Sequence, residues 1–552
     1  MNIENYFGKY DKNNIDKVIE YMNKLNSEIK PYYNFGYPFF KGDYQLNFKK
    51  QLENKELNYE PMKEDDVFKY IAPYFENIPN WNNPGTMINV IPPVNLISLA
   101  TTNIANMYNP NFAQDTYAGK LISAELEVSK YLSKLVGWDY TQTHGTFTFG
   151  GKGTNLYATK VAINKADSSV VANGMTKNYF MITSKNGHPC HYEVCNWLGI
   201  GIDNCYEIEC DEFGQINIEQ TENIIEENLK KGKIFLGYNL TAGSTNELFV
   251  DDIKKIYDLN QKIVKKFALS YTPHIHADAV LGWVYLFFNE YDFAKNVLNI
   301  EERNLQKIQS LNAKIRQLKY ADSIGVDFHK TGFCPYISSI VLFKNKDDYF
   351  TLCESDNIPL EDLNFGNYNP YHSTLELTRS CMGPVSALCT LKSLGIYGFQ
   401  KIVSNMFSSA CYFRDKLKTF DRILMINEET EGLATLFIIL PPKYIGISLE
   451  DISTFDTSRI EEIKEYNVKY SKYLLEKAIK NEVHFLYTAS RSYTLPKTNI
   501  KIGALKVYPM SVHITSELVD KIIAEMSIVI SEYDKIKQFD NNIELSDNMV
   551  YR

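Results

Sequence analysis

The chain of 552 residues is 44% hydrophobic and 23% charged, a balance typical of a large globular protein. A single hydrophobic core stops growing well below this length, so we expect two or three domains. The net charge of −9 at pH 7 argues against broad binding of nucleic acid or of an anionic membrane, because both require a basic face. The longest apolar run, Val280–Phe288, is far shorter than the roughly 20 residues that span a bilayer.

The first ten residues contain no basic segment followed by an apolar core, so we expect no secretory signal. Nine cysteines, an odd number, favour reduced thiols in a cytoplasmic protein. Cys190 with Cys195, and Cys205 with Cys210, repeat a C-x4-C spacing close to two histidines. A zinc site is the alternative interpretation, but compact zinc hairpins usually have a C-x2-C spacing. We therefore expect free thiols and no metal ion.

The N-terminal region is aromatic and polar, and its pattern predicts helices at Asp11–Glu28 and Glu64–Phe75. Prolines and glycines then interrupt regular structure before a third predicted helix at Leu96–Met107. We interpret residues 1–117 as an N-terminal extension or arm and not as an independent catalytic domain.

Residues 118–380 alternate between short apolar runs and helical periodicity, which predicts an α/β domain with a mostly parallel sheet. Ligands of such domains bind at the carboxyl ends of the strands. The predicted strands are Tyr179–Thr183, Ile234–Leu240, Ile275–Val280, Ser323–Phe328 and Ser338–Phe343, and the predicted helices are Lys120–Val136, Asn155–Lys165 and Asp251–Phe267.

The pattern changes after Arg379, and residues 381–552 predict a smaller α+β domain. Helices and strands here follow one another without the regular alternation of the preceding region. The predicted helices are Gly383–Leu394, Phe399–Lys418, Ser458–Lys480 and Ser516–Glu532, and the predicted strands are Arg422–Ile426, Thr435–Leu440, Val483–Tyr487 and Ile502–Tyr508.

Two side chains suited to one cofactor lie at the ends of predicted strands. Lys330 follows His329 after one strand, and Asp278 ends the segment His-Ile-His-Ala-Asp of another. A lysine amine forms a Schiff base with the aldehyde of pyridoxal 5′-phosphate (PLP), and a carboxylate keeps the pyridine nitrogen of PLP protonated. Each residue alone is weak evidence, because most lysines are surface residues and an aspartate after a strand often caps a turn.

The neighbourhood of the lysine strengthens the PLP hypothesis. The segment Asp322–Tyr336, DSIGVDFHKTGFCPY, resembles the lysine segment of the group II PLP-dependent amino-acid decarboxylases, with Phe328 in place of the usual proline. That family includes aromatic amino-acid, tyrosine and glutamate decarboxylases, and the resemblance extends from about Pro92 to the C-terminus. It implies the aspartate aminotransferase-like fold of type I PLP enzymes, with a large α/β domain and a small C-terminal α+β domain.

The resemblance also implies a set of cofactor-binding residues. The segment Thr148–Leu156 resembles the family's glycine-rich turn, whose backbone N–H groups bind a phosphate, although Lys152 replaces the usual threonine. His188 has the family's spacing for the histidine that stacks on the cofactor ring, whereas His191 has a matching flank but lies three residues too late. The implied cofactor-binding residues are Lys330, Asp278, His188, Gly151, Gly153, Thr154, Asn155, Ser244, Thr245, Ala279 and His329.

Relatives carry a mobile loop whose tyrosine donates a proton after CO₂ leaves, and Asp362–Thr374 occupies its place here with a poor match. Tyr368 and Tyr371 are both available, and we favour Tyr371 because His372 follows it. Since such a loop closes over the active site of a partner subunit, the resemblance implies a homodimer with its site at the interface. The implied catalytic residues are Lys330, Tyr371, Tyr368 and His188.

Decarboxylation of an L-amino acid to its amine is the function that the resemblance implies. Tyr336 after Pro335 is similar to the tyrosine decarboxylase branch and favours an aromatic substrate. Alternatives are another PLP reaction, such as aldehyde synthesis or carbon–sulfur cleavage, and a non-catalytic PLP-fold binding protein. Residues 287–319 lengthen the chain between Asp278 and Lys330, and we expect them to form an inserted helical segment at the surface.

Overall fold

The computed structural model describes residues 6–9, 12–42, 48–53, 55–211, 213–353, 358–495, 498, 500–536 and 550–551. Asp11, at the start of one predicted helix, lies outside them. The chain forms two compact units, of which the first comprises residues 1–91, 412–428 and 435–552 and the second residues 92–411 and 429–434.

This grouping differs from the predicted division into residues 1–117, 118–380 and 381–552. The difference arises because Thr86–Met87 forms a short strand that pairs in parallel with Leu486–Thr494, so the N-terminal region joins the sheet of the C-terminal region.

Each predicted helix has a counterpart in the structure, which also contains helices that were not predicted. They are α1 (Ile15–Ile29), α2 (Phe48–Leu52), α3 (Glu64–Ile71), α4 (Leu96–Met107), α5 (Asp115–Ala118), α6 (Ser123–Val136), α7 (Gly151–Ala166), α8 (Val170–Asn173), α9 (Cys190–Trp197), α10 (Ile218–Lys230), α11 (Ile253–Phe267), α12 (Glu302–Ile315), α13 (Lys346–Phe350), α14 (Met382–Leu417), α15 (Leu449–Ser453), α16 (Thr457–Ile479) and α17 (Ser516–Tyr533). Helices α2, α5, α8, α9, α10, α13 and α15 were not predicted. Gly395 interrupts α14 with a φ of +58°, which accounts for the two helices predicted there.

The strands form one sheet in each unit. They are β1 (Thr86–Met87), β2 (His144–Thr148), β3 (Tyr179–Ser184), β4 (Cys205–Ile208), β5 (Ile234–Thr241), β6 (His274–Asp278), β7 (Ser323–Asp327), β8 (Ser339–Phe343), β9 (Ile423–Met425), β10 (Thr435–Ile439), β11 (Leu486–Thr494), β12 (Lys501–Val507) and β13 (Val550–Tyr551).

The seven-stranded sheet of the second unit has the order β2-β8-β7-β6-β5-β3-β4. Strands β4, β3, β5, β6 and β7 are parallel, and β8 runs antiparallel to both of its neighbours. Strands β3, β6 and β7 are buried along their whole length, as expected for parallel strands covered on both faces. The predicted α/β domain with a mostly parallel sheet is confirmed.

The first unit contains a smaller sheet in the order β1-β11-β12-β10-β9, and β13 pairs with β11. Helices α16 and α17 bury apolar side chains such as Tyr470, Leu474, Ile522 and Met526 in the same hydrophobic core as this sheet. Within the described part of the chain, no helix is both long enough and apolar enough to cross a bilayer.

The segment 287–319 contains the expected helix, α12, whose apolar residues Leu305, Ile308, Leu311 and Ile315 recur at helical spacing and are buried. The preceding 3₁₀ helix, Gly282–Phe288, is buried throughout. The segment is therefore an amphipathic helix that covers core residues while its polar face remains at the surface.

Candidate active site

The carboxyl ends of two adjacent parallel strands bring the predicted cofactor residues together. Strand β6 ends at Asp278 and β7 ends at Asp327, and the register places Asp278 opposite Gly325. Lys330 lies three residues beyond the end of β7. Asp278 and Lys330, far apart in the sequence, therefore lie at the same edge of the sheet, where ligands of α/β proteins bind.

Lys330 forms an ion pair that the sequence interpretation did not assign. Its Nζ lies 2.9 Å from Asp327 Oδ2, and Asp327 is fully buried while 25% of the lysine side chain is exposed. Ser339 Oγ donates a hydrogen bond of 2.6 Å to Asp327 Oδ1. Burial lowers the pKa of Lys330, but attraction to Asp327, and less strongly to Asp278, outweighs it, so the pKa is raised above its usual value.

Asp278 is buried and accepts hydrogen bonds at both carboxylate oxygens. Asn155 Nδ2 donates to Oδ2 at 3.2 Å, and the backbone N–H of Val280 donates to Oδ1 at 3.3 Å. Two donors stabilise the ionised form of a carboxylate. Asp278 is therefore suited to pairing with a cationic ring nitrogen.

The glycine-rich turn lies at the start of α7, as predicted. Gly150 has a φ of +126°, which glycine adopts without strain, and the helix begins at Gly151. A Cβ atom at Gly151 would lie 2.9 Å from Asp327 Oδ2, and one at Gly153 would lie 2.9 Å from Thr148 Cβ. The glycines thus allow close packing around the first turn of α7. The backbone N–H groups of Gly153 and Thr154 donate to the carbonyl oxygen of Gly150, so the N–H groups of Gly151 and Lys152 are the ones suited to a phosphate.

The other residues of this turn have internal partners. Thr154 is buried and its hydroxyl donates to the carbonyl oxygen of Gly151 at 2.7 Å. Lys152 forms an exposed ion pair with Glu193 of α9. The Lys152 side chain therefore links two helices at the rim of the site.

The two candidate histidines differ in accessibility. His188 is exposed, and its Nδ1 accepts a hydrogen bond from the backbone N–H of Cys190 at 3.2 Å. Partial desolvation lowers the pKa of His188, while the charge of Asp278 opposes this shift and that of Lys330 adds to it. Asn155 Nδ2 links His188 to Asp278, since it donates both to Asp278 Oδ2 and to Cys190 Sγ, two residues after His188. His191 is buried, which lowers its pKa to about 3, and its ring nitrogens have no hydrogen-bond partner in the described part of the chain.

The remaining predicted cofactor-binding residues follow the ends of β5, β6 and β7. Ala279 and Ser244 are buried, and Ser244 Oγ accepts a hydrogen bond from the backbone N–H of Phe249 at 3.0 Å, while Thr245 lies at the next position of the same turn. His329 is buried, and its Nε2 lies 3.5 Å from Asp327 Oδ2. Thr241, at the end of β5, has a buried hydroxyl without a hydrogen-bond partner among the described residues.

These features fit PLP. An amine, a buried carboxylate, an accessible imidazole and a helix N-terminus lie around one edge of the sheet. The aldehyde, ring nitrogen, ring face and phosphate of the cofactor each require one of these groups.

The two loop tyrosines occupy different environments. Tyr368 is buried, and its hydroxyl donates to Glu125 Oε1 at 3.4 Å. Arg379 is also buried and binds both oxygens of the same carboxylate. Tyr371 is half-buried, and its ring lies 4.1 Å from that of His372.

The cysteines behave as free thiols. No disulfide joins any of the nine, all of which the structure describes, and Cys190 accepts a hydrogen bond from Asn155 Nδ2 at 3.3 Å. Burial raises the pKa of the Cys190 thiol to about 12. No group of three or more His, Cys, Asp or Glu side chains suited to hold a metal ion occurs in the part of the chain that the structure describes.

Comparison with known proteins places these observations in a family. A profile described as the pyridoxal-dependent decarboxylase conserved domain matches residues 47–438. An acidic amino acid decarboxylase of Xenopus tropicalis is 22% identical over 352 residues, which cover 63% of each chain. A glutamate decarboxylase of Drosophila melanogaster is 28% identical over 192 residues, which cover 34% of this chain and 36% of the relative. The chain thus spans just under two thirds of the first relative and about a third of the second.

Solved structures share the fold at low sequence identity. Mouse CSAD in apo form superposes with a TM-score of 0.75 at 16% identity, covering 93% of this chain and 99% of that one. A tryptophan decarboxylase of Catharanthus roseus, in complex with L-tryptophan, gives a TM-score of 0.71 at 14% identity and covers 95% and 100%. The predicted type I fold is confirmed. Because the profile covers more than half of the chain, the protein belongs to the pyridoxal-dependent decarboxylase family, as the resemblance predicted, and PLP is its cofactor.

Proposed function

We propose that this protein catalyses the PLP-dependent decarboxylation of an L-amino acid to the corresponding amine and CO₂. The observation that carries the proposal is the convergence of Lys330, Asp278 and His188 at one edge of the sheet. The charges of Asp278 and Lys330 both act on the pKa of His188. When bound, PLP supplies an electron sink that weakens bonds at the substrate Cα.

The cofactor is oriented by groups on three elements. Lys330 would hold its aldehyde group, Asp278 its ring nitrogen and the first turn of α7 its phosphate. His188 and Ala279 would hold the ring between them. We assign Gly151, Gly153, Thr154 and Asn155 to the phosphate end and the floor of the site, with Ser244, Thr245 and His329 at its margin.

Tyr371 is the loop tyrosine that we propose as proton donor to the substrate Cα. Tyr368 is held in the core by Glu125, and burial raises its pKa well above the usual value, so it is unsuited to donating a proton to a ligand. Tyr371 lies nearer the surface in a 3₁₀ turn, Pro370–His372. Its backbone is fixed by a 3.1 Å hydrogen bond to the carbonyl oxygen of Ala113.

We infer an aromatic substrate from the side chains at the rim. Tyr336 is half-exposed and its ring lies 4.3 Å from that of His329. Phe149 is exposed beside the glycine turn. The cation nearest this turn, Lys152, is already paired with Glu193, which does not favour an acidic substrate.

We also propose a homodimer. Helix α4 exposes Leu96 (74%), Ile97 (60%) and Ile104 (39%), and Tyr108 (71%) follows it. The opposite face of α4 is fixed to the fold, since Ser98 Oγ donates to the carbonyl oxygen of Ser386. A contiguous apolar surface of this kind suits contact with a second copy of the chain. Nine described cysteines without a disulfide support a reducing, cytoplasmic location.

The dimer is tested by sedimentation velocity. Ile97→Arg places a charge in the proposed interface and should yield monomers, whereas Ile202→Arg, at an exposed apolar residue elsewhere in the same unit, should leave the association state unchanged. Dimers of unchanged stability in Ile97→Arg would contradict the proposed interface.

The cofactor assignment is tested by trapping. Protein mixed with PLP should turn yellow, and borohydride treatment followed by peptide mapping should locate the cofactor on Lys330. Lys330→Ala should remain unlabelled, and label on another lysine would contradict the assignment.

The reaction is tested by CO₂ release from each of the twenty amino acids. Tyrosine, tryptophan or phenylalanine should be the best substrate, and release from glutamate or aspartate alone would overturn the substrate class. Tyr371→Phe should reduce amine formation by at least tenfold, as loss of a proton donor typically costs about 10²–10⁴ in rate. Tyr368→Phe is the matched control and should retain activity. An aldehyde product from unmodified protein would favour aldehyde synthesis instead.

A further inference from the structure

A chain of hydrogen-bonded side chains extends from Asp278 into the core beneath the site. Asn155 Nδ2 donates to Asp278 Oδ2 at 3.2 Å, and Asn155 Oδ1 lies 2.9 Å from His276 Nε2. His276 Nδ1 lies 2.8 Å from Ser323 Oγ, which in turn lies 2.7 Å from His274 Nε2. All five side chains are at most 7% exposed.

If Asp278 is ionised, the position of each proton in this series of hydrogen bonds follows. An ionised carboxylate only accepts hydrogen bonds, so Asn155 must turn its NH₂ group toward Asp278 and its oxygen toward His276. His276 must then carry its proton on Nε2, which leaves Nδ1 as an acceptor.

The same reasoning continues to the far end. Ser323 has one hydroxyl proton, and it must donate this proton to His276 Nδ1. The oxygen of Ser323 therefore accepts from His274, so His274 also carries its proton on Nε2. Its Nδ1 is left without a proton.

The surroundings of His274, the last residue in the series of hydrogen bonds, agree with this assignment. His274 Nδ1 has no hydrogen-bond partner among the described residues, and it lies 4.0 Å from Asp322 Oδ2, beyond hydrogen-bond distance. A proton on this nitrogen would be a buried donor without an acceptor, which is rare in folded proteins. Burial lowers the pKa of His276 to about 4 and that of His274 well below its usual value, so both rings are neutral.

We propose that Asn155, His276, Ser323 and His274 are positioning residues whose hydrogen bonds all point toward Asp278 and orient its carboxylate for the cofactor ring nitrogen. The proposal rests on the proposed function for the identity of the ring nitrogen. The direction of the hydrogen bonds is a property of the protein alone. The opposite direction would require a protonated Asp278 that donates to Asn155, and such an acid could not pair with a cationic ring.

Proton positions in the apoprotein test the direction of these hydrogen bonds without any cofactor. Neutron diffraction from crystals grown in D₂O at neutral pH should show deuterium on Nε2 of both His274 and His276, and on neither Nδ1. Deuterium on Nδ1 of His276, or on a carboxylate oxygen of Asp278, would overturn the proposal. This result does not depend on whether PLP binds.

Variants test the effect on the cofactor by readouts other than activity. Asn155→Leu removes a donor to a charged group, which is worth about 1.5–3 kcal/mol, so the Kd for PLP should rise roughly ten- to hundredfold. Ser323→Ala leaves Asn155 in place and should raise the Kd by roughly two- to tenfold. With ¹⁵N-labelled PLP, the ring nitrogen should lose its proton at a lower pH in Ser323→Ala than in unmodified protein.

The control removes a buried hydroxyl that belongs to the same sheet but takes no part in the series of hydrogen bonds that leads to Asp278. Thr183 Oγ1 donates to the carbonyl oxygen of Asn239 at 3.2 Å, and Thr183→Val should change neither the Kd nor the ¹⁵N titration. An unchanged ¹⁵N titration in folded Ser323→Ala would overturn the positioning role. Unmodified protein that binds no PLP would instead refute the proposed function, and the neutron result would still decide the hydrogen-bond direction.

Discussion

The ion pair between Asp327 and Lys330 predicts how one substitution should change the reactivity of the lysine. In Asp327→Asn, the carboxamide oxygen takes the place of Oδ1 and keeps the hydrogen bond from Ser339, so the NH₂ group faces Lys330 Nζ. Lys330 then loses its hydrogen-bond acceptor and the negative charge of Asp327, which had raised the pKa of the lysine more than burial lowered it. The pKa of Lys330 should therefore fall, and a larger fraction of the amine should be neutral at a given pH.

The size of the effect follows from the geometry. A hydrogen bond to a charged group contributes about 1.5–3 kcal/mol, which is roughly a ten- to hundredfold change in the ratio of neutral to protonated amine. Competitive acetylation of the apoprotein across a pH series, with peptide mass spectrometry, measures this ratio for each lysine. The reactivity profile of Lys330 should move to lower pH by a corresponding amount.

A second lysine–aspartate pair provides the control. Lys165 Nζ lies 2.6 Å from Asp348 Oδ2, and both side chains are mostly buried. Asp348→Asn removes this distant pair and should leave the profile of Lys330 unchanged. An unchanged Lys330 profile in folded Asp327→Asn would refute the role assigned to Asp327.

Two further predictions concern stability. Arg379→Met leaves the buried carboxylate of Glu125 without its partner, so the free energy of unfolding should fall by about 3–5 kcal/mol in urea titrations, and a loss below 1 kcal/mol would contradict a buried ion pair. Burial raises the pKa of Asp251 to about 7. Between about pH 4 and pH 7 the folded state therefore holds a proton that the unfolded state has released, so the free energy of unfolding falls as pH rises through this range. The unfolding free energy should fall between pH 5 and pH 8, and Asp251 should contribute about 3 kcal/mol of that fall. Asp251→Asn should therefore make the fall smaller by about this amount, and an unchanged fall would contradict the assignment.

Periodicity predicted most of the large sheet because its strands are short apolar runs. The five strands expected in residues 118–380 correspond to β3, β5, β6, β7 and β8. Strands β2 and β4 were not predicted, since His-Gly-Thr-Phe-Thr and Cys-Tyr-Glu-Ile contain polar residues and glycine. The predicted strand Val483–Tyr487 overlaps β11 only at Leu486 and Tyr487, because pairing with β12 stabilises a polar segment up to Thr494 that has no apolar pattern of its own.

Local motifs predicted the candidate site only in part. Lys330 and Asp278 were recognisable because each follows an apolar strand, and the glycine turn is contiguous in sequence. The supporting contacts were not recognisable, since His276 lies 121 positions from Asn155 and 47 from Ser323. The register between β6 and β7 pairs His276 with Ser323, and the packing of α7 against the sheet brings Asn155 to His276. Asp327 was the exception, because a carboxylate three residues before the lysine was visible in the sequence and was given no role.

The antiparallel pairing of β7 with β8 has a consequence for how the protein can be altered. Lys330 lies on a hairpin tip whose first pair joins Asp327 to Ser339, and the backbone N–H of Phe328 donates to the carbonyl oxygen of Ser338 at 2.8 Å. A strand that slips by one residue turns every side chain to the opposite face. Adding or removing one residue within β8 would therefore carry Ser339 away from Asp327, whereas a substitution of Tyr336, which lies outside the paired residues, would leave the register unchanged. The hairpin register therefore restricts changes of length in β8, but it does not restrict substitutions in the loop between Lys330 and Ser338.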